Sequence, residues 1–144
     1  MRVVVQRSGP ANVVVDKKIV GKIPEGMMVL VGFTEGDKEE VLDKMARKIV
    51  NLRIYPDDNG VMNKSILEYG GEVLLVSQFT LYASTSKGNR PSYTMALSHQ
   101  KAEDLYDKFV QVLKKYIKVE TGVFGADMEV NFTNIGPSTF IIEM

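Results

Sequence analysis

Gly26-Met27-Met28-Val29-Leu30-Val31-Gly32-Phe33, followed by Thr34-Glu35-Gly36 and then Asp37, is the stretch that decides the fold class. An apolar run of this length between turn signals is the pattern of a strand buried on both faces. Immediately beyond it, Val41, Leu42, Met45, Ile49 and Leu52 recur at helical spacing, and Asp37 with Glu40 three positions later has the form of a capping box. A buried strand thus feeds an amphipathic helix.

Working upstream, residues 3–7 read as a buried strand, Ser8-Gly9-Pro10 as a turn, and Val13 to Lys22 as a hairpin with the polar tip Asp16-Lys17-Lys18. Downstream, residues 56–60 form a loop by turn chemistry, and Gly70-Gly71 precede a strand that starts at Glu72 and runs on through Ser77 to Tyr82. A polar loop over residues 83–92 leads to a second helix at residues 98–118. This helix has Ala102, Leu105, Phe109, Val112, Leu113 and Tyr116 on one face. Residues 128–132 and 139–142 are strands on either side of a turn at 133–138. Strands and two main amphipathic helices without regular βαβ repetition predict an α+β domain, its sheet curled over its helices.

At 144 residues, 44% of them hydrophobic and 25% charged, the expectation is a single domain over 1–144. Eighteen Lys and Arg balance eighteen Asp and Glu, so there is no global basic field, and any nucleic acid must be met by a local patch. Without Cys there is no disulfide framework, thiolate nucleophile or Cys-bound metal. The cytoplasm is the default expectation, since the apolar start is too short for a signal peptide and no run approaches the roughly 20 residues that span a bilayer.

The inventory of bases and nucleophiles is thin. The one His, His99, sits beside the helix N-cap Ser98 and reads as a surface residue, so a Ser-His-Asp triad is not expected. Asp57-Asp58-Asn59-Gly60 lacks the spacing and distal Glu of a calcium loop, and no glycine-rich phosphate loop is present. No metal and no cofactor is expected.

Two polar segments stand out. Ser77, Gln78, Phe79 and Thr80 put hydroxyls and an amide at the end of an apolar strand, where bonding to a neighbouring strand is the plain structural reading. Asn134, Ile135, Gly136, Pro137, Ser138 and Thr139 form a Gly-Pro segment that reads as an ordinary turn, although X-Pro bonds can be cis and a rigid turn can present carbonyl oxygens to a ligand.

Together the segments resemble the two signature motifs of the D-aminoacyl-tRNA deacylase family, SQFTL at Ser77 to Leu81 and NxGPxT at Asn134 to Thr139. The Val-Val-Gln-Arg stretch ending at Arg7, the loop from Lys87 to Ser92, the motif order and the length extend the resemblance over essentially the whole chain. The resemblance implies a homodimer of β-barrel-like subunits that hydrolyses the ester between a D-amino acid and the terminal adenosine of tRNA. It also implies that Gly136-Pro137 is cis and enters the active site of the other subunit. There its two carbonyls capture the substrate α-amino group and exclude an L side chain, with Arg7 as anchor. Asn134 and Thr139 belong to the same chiral motif, and glycyl-tRNA, with no side chain to reject, is a foreseeable second substrate.

That assignment accommodates the missing base. An aminoacyl ester is already reactive, the ribose brings a vicinal 2′-hydroxyl, and N–H groups near Phe79 and Thr80 can bind the developing oxyanion. Direct attack by Thr80 is the competing route, without a patterned His, Lys or N-terminal amine to activate its hydroxyl. Phe79 and Tyr82 are candidates both for the core and for the terminal adenine. Lys87 and Arg90 are candidate tRNA contacts, with Lys17, Lys18, Lys22, Lys114, Lys115 and Lys118 as further phosphate ligands. The alternative is a non-catalytic module that holds the tRNA acceptor end.

Overall fold

The computed structural model describes residues 1–144. Along the chain come β1 (Arg2–Val15), β2 (Lys18–Ile23), β3 (Gly26–Gly32), α1 (Glu40–Val50), β4 (Tyr55–Pro56), β5 (Met62–Lys64), α2 (Ile66–Tyr69) and β6 (Glu72–Ser77). A 3-10 turn (Phe79–Tyr82), α3 (His99–Lys114), β7 (Val119–Thr121) and β8 (Glu129–Glu143) complete it. The main sheet runs β2-β1-β3-β6-β7, and β8 pairs along the other edge of β1. The fold class is α+β, with a nearly closed, barrel-like sheet and two long helices.

The doubly buried reading of residues 27–33 holds because β3 lies between β1, antiparallel, and β6, parallel, with Met27, Val29 and Val31 packed against the helices. Parallel pairing of β3 with β6 requires a crossover, which α1 supplies. Leu42, Met45, Ala46, Ile49 and Val50 of α1 meet Leu105, Phe109 and Leu113 of α3 in the same core. Each large side chain buried there contributes about 1.5–3 kcal/mol. A smaller cluster of Ala11, Val13, Ile23, Leu74 and Val76 fills the opposite face of the sheet. Closure brings β2 against β7 at Gly21, where a Cβ would lie 2.2 Å from Thr121 O, so only glycine permits the approach.

Four sequence readings are corrected. Ser8-Gly9-Pro10 is not a turn but the middle of β1: pairing with β3 ends at Ser8 and pairing with β2 begins at Ala11. Pro10 falls in that gap, where no ladder bond is asked of it. Residues 128–142 are not two strands about a turn but one strand with a protrusion: β1 advances two residues, Gln6 to Ser8, while β8 advances five, Asn134 to Thr139. The strand from Glu72 stops at Ser77, and Phe79–Tyr82 coils into the 3-10 turn. Asp37 does not cap α1; its carboxylate accepts from the Met1 amino group and from Thr34 N, and Glu39 holds the N-cap position.

The second helix is also shorter than the periodicity predicts, ending at Lys114 so that Val119–Thr121 can join the sheet. The short α2 escaped the sequence reading, although Ser65 and Glu68 form a full capping box there. No helix is long and apolar enough to cross a membrane.

Candidate functional site

The first motif is shaped by where the β6 ladder ends. Gln78 N still donates to Val31 O at 2.7 Å, after which the chain turns, and the first bond of the 3-10 turn runs from Leu81 N to Gln78 O at 3.2 Å. The N–H groups of Phe79 and Thr80 precede that bond and are the unclaimed donors of a helical N-terminus. Gln78 Nε2 donates to Thr80 Oγ1 at 2.5 Å. Arg2 fastens the far end, donating to Leu81 O and lying 4.8 Å from the Tyr82 ring centroid. Burial first, and the Asp37 charge next, push the Tyr82 hydroxyl above its ordinary pKa.

Ser77, Gln78 and Phe79 form one wall of a cleft of about 530 Å³, and the segment from Phe124 through Met128 forms another. Phe79 is 56% exposed and meets Tyr93 edge-on at 5.1 Å, so it is not a core residue. His99 stands on the rim, edge-on to Phe124 at 5.2 Å, with Nε2 3.9 Å from Glu103 Oε2 and its side chain 71% exposed. It thus has a carboxylate neighbour that the sequence reading did not credit, but no hydrogen bond to Thr80. The Thr80 hydroxyl accepts from an amide, which cannot remove its proton.

The second motif is held together by its own polar side chains. Asn134 Oδ1 accepts from Ser138 N at 2.7 Å, and Asn134 Nδ2 donates to Thr139 Oγ1 at 3.1 Å, an oxygen that also accepts from Gln6 Nε2 at 3.2 Å. The protruding Gly136–Pro137 peptide is cis. Arg7 reaches Ile135 O with Nε and Nη2, both at 3.1 Å, and Ile54 O with Nη1 at 3.0 Å. Gly136 has φ +128°, and a Cβ there would lie 2.7 Å from Ser138 Oγ and 2.8 Å from Arg7 Nη2. The asparagine, glycine, threonine and distant arginine therefore build one rigid, exposed projection.

Within one chain the two motifs do not meet. Ser77 pairs with Val31 of β3 whereas Arg7 pairs with Met27 of β3. Four residues along a strand are about 13 Å, and Gly136-Pro137 lies on β8, beyond β1. Neither Arg7 nor Gly136-Pro137 lines the cleft.

Lys87 and Arg90 lie exposed on a loop whose ends, Ser84 and Ser92, exchange backbone bonds at 2.8 and 2.9 Å. Lys118 is engaged by Glu72 at 3.0 Å. No three His, Asp or Glu side chains gather into a metal-holding group. Sequence reasoning missed the Phe124–Met128 wall, the Ile54 carbonyl and Arg2. The small residues Gly125 and Ala126 were the one local hint of a close approach.

The family model described as D-Tyr-tRNA(Tyr) deacylase matches residues 4–143. A D-aminoacyl-tRNA deacylase of Dechloromonas aromatica (strain RCB) is 54% identical over 99% of the chain and 97% of its own length. One of Kosmotoga olearia is 52% identical over the same shares. Among solved structures, the c-Myc DNA unwinding element binding protein superposes with a TM-score of 0.94 at 38% identity, covering 100% of this chain and 99% of that one. A probable eukaryotic D-amino acid tRNA deacylase shares the fold, with a TM-score of 0.85 at 19% identity over 99% and 98% of the two chains. This chain belongs to the D-Tyr-tRNA(Tyr) deacylase family.

Proposed function

We propose that this chain hydrolyses the ester of D-aminoacyl-tRNA, releasing the D-amino acid and restoring the free terminal adenosine, and that it works as a homodimer. The observation that carries this reading is the pair of unclaimed N–H donors at Phe79 and Thr80 beside a cleft that offers the threonine hydroxyl no base. Such a site stabilises charge without needing a titrating side chain. Water adds to the acyl carbon, the oxyanion settles on the two N–H groups, and the ester C–O bond breaks. The ribose 2′-hydroxyl assists by orienting the water and relaying a proton to the departing 3′ oxygen. Loss of one oxyanion donor typically costs about 3 kcal/mol.

Chirality is assigned to the Gly136-Pro137 projection of the partner copy. Both enantiomers carry the same groups, so discrimination is steric: the carbonyls of the pair hold the α-amino group and the projection occupies the space an L side chain needs. The separation of the two motifs within one chain and the exposure of the projection support delivery from a second copy. Arg7, through Ile135 O, sets the position of the projection, and Asn134 with Thr139 sets its shape. Glycyl-tRNA, which presents no side chain, is a second substrate on this reading.

Deacylation of matched D- and L-tyrosyl-tRNA by the purified chain tests the reading. Turnover of the D ester alone is expected. Binding of both without turnover establishes the acceptor-end binding module instead, and equal turnover removes the chiral role.

A further inference from the structure

The β1–β2 hairpin is unusual at its tip. Val15 pairs with Lys18, which leaves Asp16 and Lys17 as a two-residue turn with φ of +48° and +64°. A turn with both central residues left-handed favours Asn-Gly or Asp-Gly, and lysine at the second position is strained where glycine is free. Lys17, Lys18 and Lys22 are all exposed, and none of them joins an ion pair.

Register separates these lysines. β8 enters the ladder at Glu129 opposite Val14, so Met128, a cleft-wall residue, comes next to Val15, and Val15 and Met128 pack on the same small cluster. Lys18, opposite Val15, shares that cleft-side face. Lys22 lies opposite Asn12, whose side chain bonds to Asn131, in a polar row on the other face of the sheet. A strained tip whose next residue, Lys18, carries an unpaired charge across β1 from the cleft-wall residue Met128 is a feature that stability alone does not favour.

We propose that Lys17 and Lys18 grip the phosphates of the single-stranded 3′ end of the nucleic acid as it leaves the cleft, while Lys22 takes no part. The inference rests on the reading of the cleft as the place where a tRNA-borne ester is hydrolysed. Phosphate contacts add affinity without sequence preference and weaken with salt.

The test compares wild type, K17A/K18A, K22A and K17G. Each is assayed on D-tyrosyl-tRNA across a salt series and on D-tyrosyl-adenosine, which has no phosphates. Expected for K17A/K18A is a loss of about ten-fold in kcat/KM on the tRNA ester at low salt. Its salt dependence should flatten by roughly 1.4 in the logarithmic slope, two contacts at about 0.7 each, with the adenosine ester unaffected. K22A should stay within about two-fold of wild type on both esters. K17G should unfold at a higher temperature yet lose part of the tRNA activity, because relief of the left-handed lysine and loss of its charge act separately.

Equal effects of K22A and K17A/K18A, a parallel fall on both esters, or an unchanged salt slope would overturn the assignment. Binding of uncharged tRNA over the same salt series carries the same expectations for the hairpin. Failure to hydrolyse either ester counts against the deacylase reading, and the binding slopes still decide the lysines.

Discussion

Two nitrogens of the Arg7 guanidinium, Nε and Nη2, converge on the carbonyl oxygen of Ile135 at 3.1 Å each, while the third, Nη1, holds Ile54 O at 3.0 Å. One planar side chain therefore ties the base of the Gly136-Pro137 projection to the end of the loop that leads into β4. Lysine has the charge but not the fork. Arg7→Lys is expected to leave the chain folded, with about 1–2 kcal/mol lost from loosened charged hydrogen bonds, and to lower kcat/KM on D-tyrosyl-tRNA by at least about ten-fold through misplacement of the projection. Chemical denaturation and steady-state assays on the same preparation separate the two effects. Full activity in this variant removes Arg7 as the anchor.

Gly136→Ala places a Cβ within 3 Å of both Ser138 Oγ and Arg7 Nη2 in a left-handed backbone. The strain falls on an exposed projection, so a folded protein with reduced D-ester turnover or weakened rejection of L esters is expected. Unchanged rates on both enantiomers would show that the projection does not touch substrate.

Thr80→Ala removes the hydroxyl to which Gln78 donates but keeps the Thr80 N–H. Turnover within about ten-fold of wild type is expected, whereas a tRNA ending in 2′-deoxyadenosine should lose about 100-fold or more, the usual scale for a lost proton-transfer partner. Complete loss in Thr80→Ala, with tRNA binding intact, would make the threonine the nucleophile.

Tyr55 and Tyr106 bury their hydroxyls, donating to Gly26 O at 2.6 Å and Leu75 O at 2.9 Å, and burial pushes both above the ordinary tyrosine value. A raised folded-state pKa contributes stability below the unfolded value of about 10 and loses it as pH rises beyond. Stability from these two groups should be flat from neutrality to about pH 9 and fall above about pH 10. Urea midpoints across that range check it. The double Tyr→Phe variant should start about 1 kcal/mol less stable per lost hydrogen bond but show a shallower alkaline fall.

The sequence made the elements with strong periodicity legible. The run from Met27 to Phe33, bounded by turn signals, reads as a strand buried on both faces, and the apolar stripe of α1 reads as a core-facing helix side. What it concealed depended on tertiary pairing. Pro10 reads as a turn because its missing N–H is a local fact, whereas the gap between two ladders that accommodates it is created by β2 and β3 together. Residues 133–138 read as a turn because the long-range pairing of Asn134 with Ser8 and Thr139 with Gln6 leaves no local trace. The polar members of both motifs were visible as residue types. That Asn134 and Thr139 bond each other, and that Arg7 takes Ile54 O as well, follows only from chain crossings.

The claim that each working site draws on two copies is tested most directly by mixing two impaired variants. Phe79→Pro deletes one oxyanion donor at a first helical position that tolerates proline, and Gly136→Ala disables the projection. Equimolar mixing, with subunit exchange, should restore about a quarter of the wild-type sites, since half the dimers are mixed and each rebuilds one intact pair. Activity no higher than the sum of the two separate variants, with exchange verified, would contradict the account.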